Sequence, residues 1–211
     1  MALVKYNDRS LRNLSTVPAT VTGNSPGALV HIKTLTASSS ANLSFVNGAS
    51  SVVLDNTYPI YKFEFIDIHP ASDNVDFQFN MSTDTGSNYN VTKTTNGFQA
   101  YLNEGDSANG LAYESGRDLA QSTDFQGVLI GVGNEADQCC AGQLHLFNPS
   151  STTFVKHFIS KNTANIKNNY NLAAYSAGYC NTTSAVDAIQ FKMSSGNIDA
   201  GQIKLYGIKD A

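Results

Sequence analysis

The chain has 211 residues, of which 41% are hydrophobic and 14% are charged, and its formal net charge is −4. Frequent aromatic and β-branched residues exclude an intrinsically disordered chain, and the length accommodates one sandwich-sized domain with an extension. Lysine and arginine form no cluster, so we predict no nucleic-acid partner. Serine, threonine, asparagine and glycine replace the missing charges and favour turns and strand surfaces over helices.

The first 28 residues differ from the rest of the chain. Prolines and glycines in a short polar span argue against a helix and against a central strand. We predict an extended N-terminal arm at residues 1–28, followed by one β-domain at residues 29–211; a frayed terminus is the alternative. The arm would become ordered on a partner through five apolar side chains. These are Leu3, Val4, Tyr6, Leu11 and Leu14.

The N-terminus and the cysteines predict where the protein is made. The first residues contain no apolar segment of a signal peptide, and no run approaches the ~18 apolar residues of a membrane span, so we expect no membrane insertion. Cys139 and Cys140 are adjacent, which strains a disulfide between them, and Cys180 stands alone. We therefore interpret all three as free thiols and expect assembly in a cytoplasm.

From residue 29 onward, apolar residues alternate with polar ones in about ten short segments, which predicts strands. Residues 75–81 show the strictest alternation, as in a half-buried strand of an antiparallel sheet. Residues 144–160 predict a β-hairpin, with Asn148 and Pro149 in the turn between two apolar arms. The predicted fold is all-β, an antiparallel β-sandwich resembling a jelly roll.

Three stretches interrupt this pattern. Asn96 and Gly97 predict a turn between two strands. Residues 103–125 predict a long connection, with one helical turn near residues 117–121, and a connection of this length is either functional or a surface meander. Residues 161–171 predict a polar loop rich in asparagine.

No motif predicts catalysis or metal binding. Residues 23–27 match Gly-x-Ser-x-Gly, but Pro26 follows Ser25 directly and no helix pattern comes next, so a nucleophile elbow is excluded. His145 and His157 lack further zinc ligands at a suitable spacing. Residues 84–88 resemble a calcium loop without its closing glutamate, and a hairpin turn explains them better. We predict no catalytic residue, no cofactor and no metal.

Several segments resemble virion structural proteins of marine tailed phages, notably those that infect cyanobacteria. The resemblance is carried by residues 146–158, residues 178–198 and residues 204–208, and by the strand at residues 61–65 with residues 69–73. It covers about residues 40–208. The resemblance implies a non-enzymatic, exposed component of the virion, such as a head decoration, fibre or tail protein, whose partners are other virion proteins.

Two functions follow from this resemblance. The first is a structural subunit that docks through its arm and forms a homo-oligomer, for which we predict a trimer from the jelly-roll likeness. The second is a fibre head that binds a host receptor or a host-surface glycan. Its sugar-stacking residues would be tyrosines in or near loops, with neighbouring asparagines bonding the sugar. These are Tyr89, Tyr113, Tyr170 and Tyr175.

Overall fold

A computed structural model describes residues 28–209, and within this range it contains thirteen strands and no helix. The strands are β1 (Leu29–Thr36), β2 (Leu43–Val46), β3 (Ile60–Pro70), β4 (Val75–Ser82), β5 (Lys93–Asn103), β6 (Asn109–Tyr113), β7 (Leu119–Ser122), β8 (Gln126–Val132), β9 (Cys140–Phe147), β10 (Lys156–Ile166), β11 (Tyr170–Cys180), β12 (Ala188–Met193) and β13 (Ile198–Ile208). The predicted all-β antiparallel fold is confirmed. The predicted arm, with Leu3, Val4, Tyr6, Leu11 and Leu14, lies outside the described residues.

The strands form two groups that face each other. The larger group has the order β1-β13-β3-β9-β10-β11-β5, and β6 and β7 both pair with the far edge of β5. The smaller group has the order β8-β4-β12-β2. A single residue pair, Ile166 with Val132, joins β10 to β8 and makes the two groups one hydrogen-bonded sheet. The jelly-roll topology remains a prediction.

Aromatic side chains fill the space between the two groups. Phe65 on β3 meets Phe77 on β4 edge to face, with ring centroids 5.1 Å apart. Phe79 on β4 meets Phe158 on β10 in the same way at 5.1 Å. Phe191 on β12 contacts rings from both groups. Edge-to-face pairs of this kind each contribute roughly 0.5–1.5 kcal/mol beyond their buried area, so this cluster holds the two groups together.

The predicted hairpin at residues 144–160 is present as β9 and β10, which pair antiparallel with Phe158 opposite Leu146. Asn148 adopts a φ of 43°, in the left-handed region that asparagine tolerates well. The Ser151 amide donates to the Asn148 carbonyl at 3.1 Å and closes the turn. The second arm begins later than predicted, because Phe154 lies in the connection and is 70% exposed.

The stretch at residues 103–125, predicted as a loop with a helical turn, contains two strands instead. β6 pairs with β5 so that Phe98 lies opposite Tyr113. β7 also pairs with β5, placing Lys93 opposite Ser122. Both strands are short and largely exposed, so neither carries the apolar alternation that marks a half-buried strand.

Two further expectations about connections are wrong. Asn96 and Gly97 do not form a turn but lie inside β5, where Gly97 pairs with Ser176 of β11. Residues 161–171 are mostly strand, because β10 continues to Ile166 and β11 begins at Tyr170. The turn between them is short, with Asn168 and Asn169 at φ values of 64° and 58°. Two consecutive left-handed asparagines suit a tight hairpin turn.

Within residues 28–209, no helix has the length and apolar character needed to cross a membrane.

Candidate interaction surface

The outward face of β10, β11, β5 and β6 carries a line of aromatic side chains. Strand alternation turns every second residue of these strands away from the core. The register then places Tyr113 of β6, Phe98 of β5, Tyr175 of β11 and Lys161 of β10 side by side in one row across four strands. Two of the four tyrosines predicted to bind a ligand therefore meet in this row.

Apolar residues surround this row on the same face. Eight large hydrophobic side chains are exposed among the described residues, and six of them belong to this face. We call these six the apolar platform: Phe98, Leu102, Leu111, Tyr113, Ile159 and Tyr175. Leu111 is 74% exposed and Tyr113 is 62% exposed, so these side chains project from the sheet. A contiguous apolar patch of this kind marks an interaction site more often than scattered single residues do.

The rings at the centre of the platform stack on one another. Phe98 and Tyr175 lie with ring centroids 4.9 Å apart and an interplanar angle of 10°. Stacked rings on neighbouring strands cover one face of each other, so those two faces are closed to a sugar. What this pair presents outward is an apolar surface suited to another protein.

The aromatic part of the row has opposite charges on its two sides. Lys161 on β10 lies opposite Tyr175, and beyond it the row continues through Gln143 of β9 to Glu64 of β3.

On the other side of the aromatic part, the Tyr113 hydroxyl donates to Oδ2 of Asp118 at 2.9 Å. This hydrogen bond raises the pKa of Tyr113 and keeps the Asp118 carboxylate beside the ring. Glu114 follows Tyr113, but its carboxylate accepts from the Gly116 amide at 3.2 Å and acts on the buried Arg117, so it belongs to the turn after β6.

A separate groove lies where β5 and β11 extend past the smaller group of strands. Its volume is about 550 Å³, and its lining residues are Asn74, Gln99, Tyr101, Gly131, Ile166, Lys167, Asn168, Tyr170 and Leu172. Tyr101 and Tyr170 pack edge to face at 6.0 Å. Oε1 of Gln99 accepts a hydrogen bond from Nη2 of Arg117 at 2.9 Å, which leaves the Gln99 amide nitrogen as a donor. Rings beside amides are a suitable lining for a polar ligand.

The remaining predicted tyrosine lies apart from both places. Tyr89 is half-buried in the connection between β4 and β5, with its hydroxyl next to Gly86. Asp84 organises this connection, since its carboxylate accepts from the Ser82 hydroxyl at 2.6 Å and from the Asn88 side chain at 2.6 Å. These hydrogen bonds, that of Ser82 first, lower the pKa of Asp84 to about 2. The carboxylate thus organises a turn, but the hairpin predicted for residues 84–88 is wrong, because β4 pairs with β8 and β12 whereas β5 pairs with β11.

The possible metal ligands of the described residues are far apart, and the most reactive side chains are buried. In residues 28–209, no group of three or more His, Cys, Asp and Glu side chains is placed to hold a metal ion. His145 packs on Phe147, and burial, with Lys62 and Lys161 nearby, lowers its pKa. The three cysteines are free thiols, as predicted, and burial raises the pKa of Cys180 to about 12, which suppresses the reactive thiolate.

The interior also contains a lysine with two hydrogen-bond partners. Lys93 is completely buried, and its Nζ donates to Oδ1 of Asn80 at 2.6 Å and to the Val91 carbonyl at 2.8 Å. Burial lowers the pKa of Lys93 to about 8. Lys156 similarly donates to the carbonyls of Thr182 and Ser184 at 3.2 and 2.5 Å. The hydrogen bonds of these two amines connect loops to strands. Both amines are buried and have no access to a substrate.

The sequence missed four members of the platform: Phe98, Leu102, Leu111 and Ile159. A weak signal was present, because Phe98, Ala100 and Leu102 alternate with polar residues. Such alternation identifies a strand with one apolar face but not whether that face points to the core or to solvent. The structure decides this, since Gln99 and Tyr101 take the other side of β5.

Comparisons with known proteins add little to this geometry. No family model matches the chain, and no curated protein matches it. One solved structure, a structural-genomics protein of unknown function from Bacteroides ovatus, is similar over 50% of this chain and 45% of its own, with 11% sequence identity and a TM-score of 0.28. A likeness this distant carries no argument about fold or function.

Proposed function

We propose that this protein is a non-enzymatic structural subunit of a phage virion, an exposed decoration, fibre or tail component. The apolar platform is the observation that carries the proposal, because a β-domain with six large apolar side chains on one outer face is built to be covered by protein. The resemblance to virion proteins of marine tailed phages suggests that the covering protein belongs to a virion. Serine, threonine and asparagine on the remaining surface suit a subunit that faces solvent.

Purified virions test this proposal. Particles banded on a density gradient, from the phage that encodes this chain, are digested and their peptides are quantified by mass spectrometry. The chain should be present at a fixed ratio to the major capsid or tail protein, since virion subunits occupy symmetric positions. A chain that is abundant in the lysate but absent from the banded particles would contradict a structural role.

The N-terminal arm is the proposed attachment to the particle. Its apolar residues would bury against other virion proteins, so polar substitutions there should lower incorporation. Phage carrying Leu11→Asp with Leu14→Asp should contain much less of the chain per particle. Ser10→Asp with Ser15→Asp is the matched control, because it adds the same charges without removing apolar groups, and it should incorporate normally. Equal incorporation of both variants would contradict the proposed attachment through the arm.

The alternative function is a fibre head that binds a host-surface glycan, and the groove beside Tyr170 favours it. Tyr101 and Tyr170 supply rings, and Gln99, Asn74 and Asn168 supply amides, which are the groups that hold sugars by stacking and hydrogen bonding. The full chain on a glycan array should then give binding that Tyr170→Ala weakens by about tenfold or more. The platform variant Leu111→Arg should bind as the unaltered chain does. Absence of binding to any glycan would remove this alternative.

A further inference from the structure

We propose that the apolar platform is the face on which two copies of this chain pack together, about a twofold axis that runs parallel to the platform strands. The inference rests on the proposed assembly function and names the partner of that surface as a second copy. It replaces the trimer predicted from the sequence with a pair.

The charges on the two sides of the aromatic part of the row select this axis. Tyr113 on β6 and Lys161 on β10 are three strand spacings apart, roughly 14 Å. A twofold axis along the strands, passing between Phe98 and Tyr175, reverses the row and brings Lys161 of one copy to Asp118 of the other. A twofold axis along the row would instead place Lys161 against Lys161. Only the first arrangement pairs opposite charges, and symmetry makes each such contact twice.

The stacked rings at the centre of the row face each other under the same operation. The axis places Phe98 of one copy over Tyr175 of the other, so two stacked pairs meet at the centre. Leu111 and Ile159 lie in the rows on either side of this centre, and the axis places Leu111 over Thr163 of the other copy. An axis parallel to the strands keeps the strands of both copies nearly aligned. Two aligned sheets pack roughly 10 Å apart with interdigitated side chains, which is the arrangement found inside β-sandwiches.

The mass of the full-length protein in solution tests the pair. Light scattering after size exclusion, up to about 100 µM chain so that micromolar pairs are populated, should give twice the 22.6 kDa of one chain. Leu111→Arg should weaken pairing by about tenfold or more, because it places a charge among the apolar groups that the second copy covers. Phe154→Arg is the matched control, since Phe154 is 70% exposed and off the platform, and it should pair normally.

A charge exchange tests the axis itself. Lys161→Glu alone and Asp118→Lys alone should each weaken pairing, and an equimolar mixture of the two variants should form mixed pairs that restore it. The single variants separate the two axes. The alternative axis brings identical positions together, so each single variant would exchange one like-charge contact for another and pair as the unaltered chain does.

The results that would overturn the pair differ from those that would overturn the virion role. A monomer, a mass of three chains, or pairing that survives Leu111→Arg would overturn the pair. A monomer that loses thermal stability with Leu111→Arg but not with Phe154→Arg would place a segment of the same chain on the platform. A paired protein that is absent from virions would overturn the virion role and leave the pair standing.

Discussion

Lys93 shows how single residues set the properties of this sheet. Its amine is buried beside Asn80, and Asn80 in turn donates from Nδ2 to the Thr123 carbonyl at 2.8 Å. One lysine thus connects β5, β4 and the segment before β8. A buried amine without such partners would cost several kcal/mol, so the asparagine and the carbonyl of Val91 are what make the position tolerable.

The Lys93 amine predicts a specific pH dependence. Burial lowers its pKa from 10.5 to about 8. Between those pH values the unfolded chain binds the larger number of protons, so the contribution of this group to stability rises from about pH 8 to 10.5 and falls again as the pH is lowered. The free energy of unfolding of the unaltered protein, minus that of Lys93→Met, should therefore increase between pH 7 and pH 10.

Urea titrations of both proteins at these two pH values measure this difference. Tyrosines and cysteines titrate in the same range, but most of their contribution is common to the two proteins and cancels. A difference that stays constant with pH would show that Lys93 titrates normally in the folded state.

Asp84 predicts a loss of folding stability at acidic pH. Its pKa is lowered from 3.8 to about 2, chiefly by the Ser82 hydroxyl and then by Asn88. The stabilisation from this carboxylate is fully present above pH 3.8 and is lost as the pH falls through about 2. Asp84→Asn should lower the melting temperature at pH 6, and the gap to the unaltered protein should narrow by pH 2.5. A gap of the same size at both pH values would argue against the capping role.

At the scale of elements, Gly97 explains why a strong turn signal failed. Asn-Gly usually marks a hairpin turn, but here Gly97 lies within β5 because the neighbouring strand approaches closely. A Cβ at this position would lie 2.9 Å from the Tyr175 carbonyl oxygen. The absence of a side chain at Gly97 therefore lets β11 approach β5 closely. Sequence alone cannot distinguish such a glycine from one in a turn.

This close approach gives a third prediction. Gly97→Ala should destabilise the protein by roughly 1–3 kcal/mol, because the added methyl group must push β5 and β11 apart. Gly105→Ala is the matched control, since a Cβ there meets its nearest neighbour at 3.9 Å. Urea unfolding of both variants checks the prediction. Equal stability of the two variants would mean that β5 relaxes freely at this point.

The elements that the sequence did predict share one property, which is a buried apolar face. β3 and β4 bury alternate aromatic residues, and both were recognisable from that period. β6 and β7 bury almost nothing and were missed. β10 was cut short in the prediction because Ser160 and Asn162, two of its inward residues, are polar and buried. Polar residues that find partners inside a sheet are invisible to a pattern based on hydrophobicity.

At the scale of the whole molecule, the distribution of apolar surface is the feature that points to assembly. One side of the larger group of strands packs on the smaller group, and part of its other side carries the apolar platform. Tyr113 and Tyr175 of this platform were predicted as ligand residues, but their grouping with Phe98 required the strand register. Cross-strand neighbours far apart in sequence cannot be inferred without that register.

The position of the subunit in the intact virion tests the central claim most directly. A cryo-EM reconstruction of the particle at a resolution that shows side chains locates each strand and its neighbours. We predict that the chain occupies symmetric surface positions and that Phe98, Leu111 and Tyr175 are buried against another protein chain. A reconstruction without this chain, or one in which the apolar platform faces solvent at every position, would contradict the account.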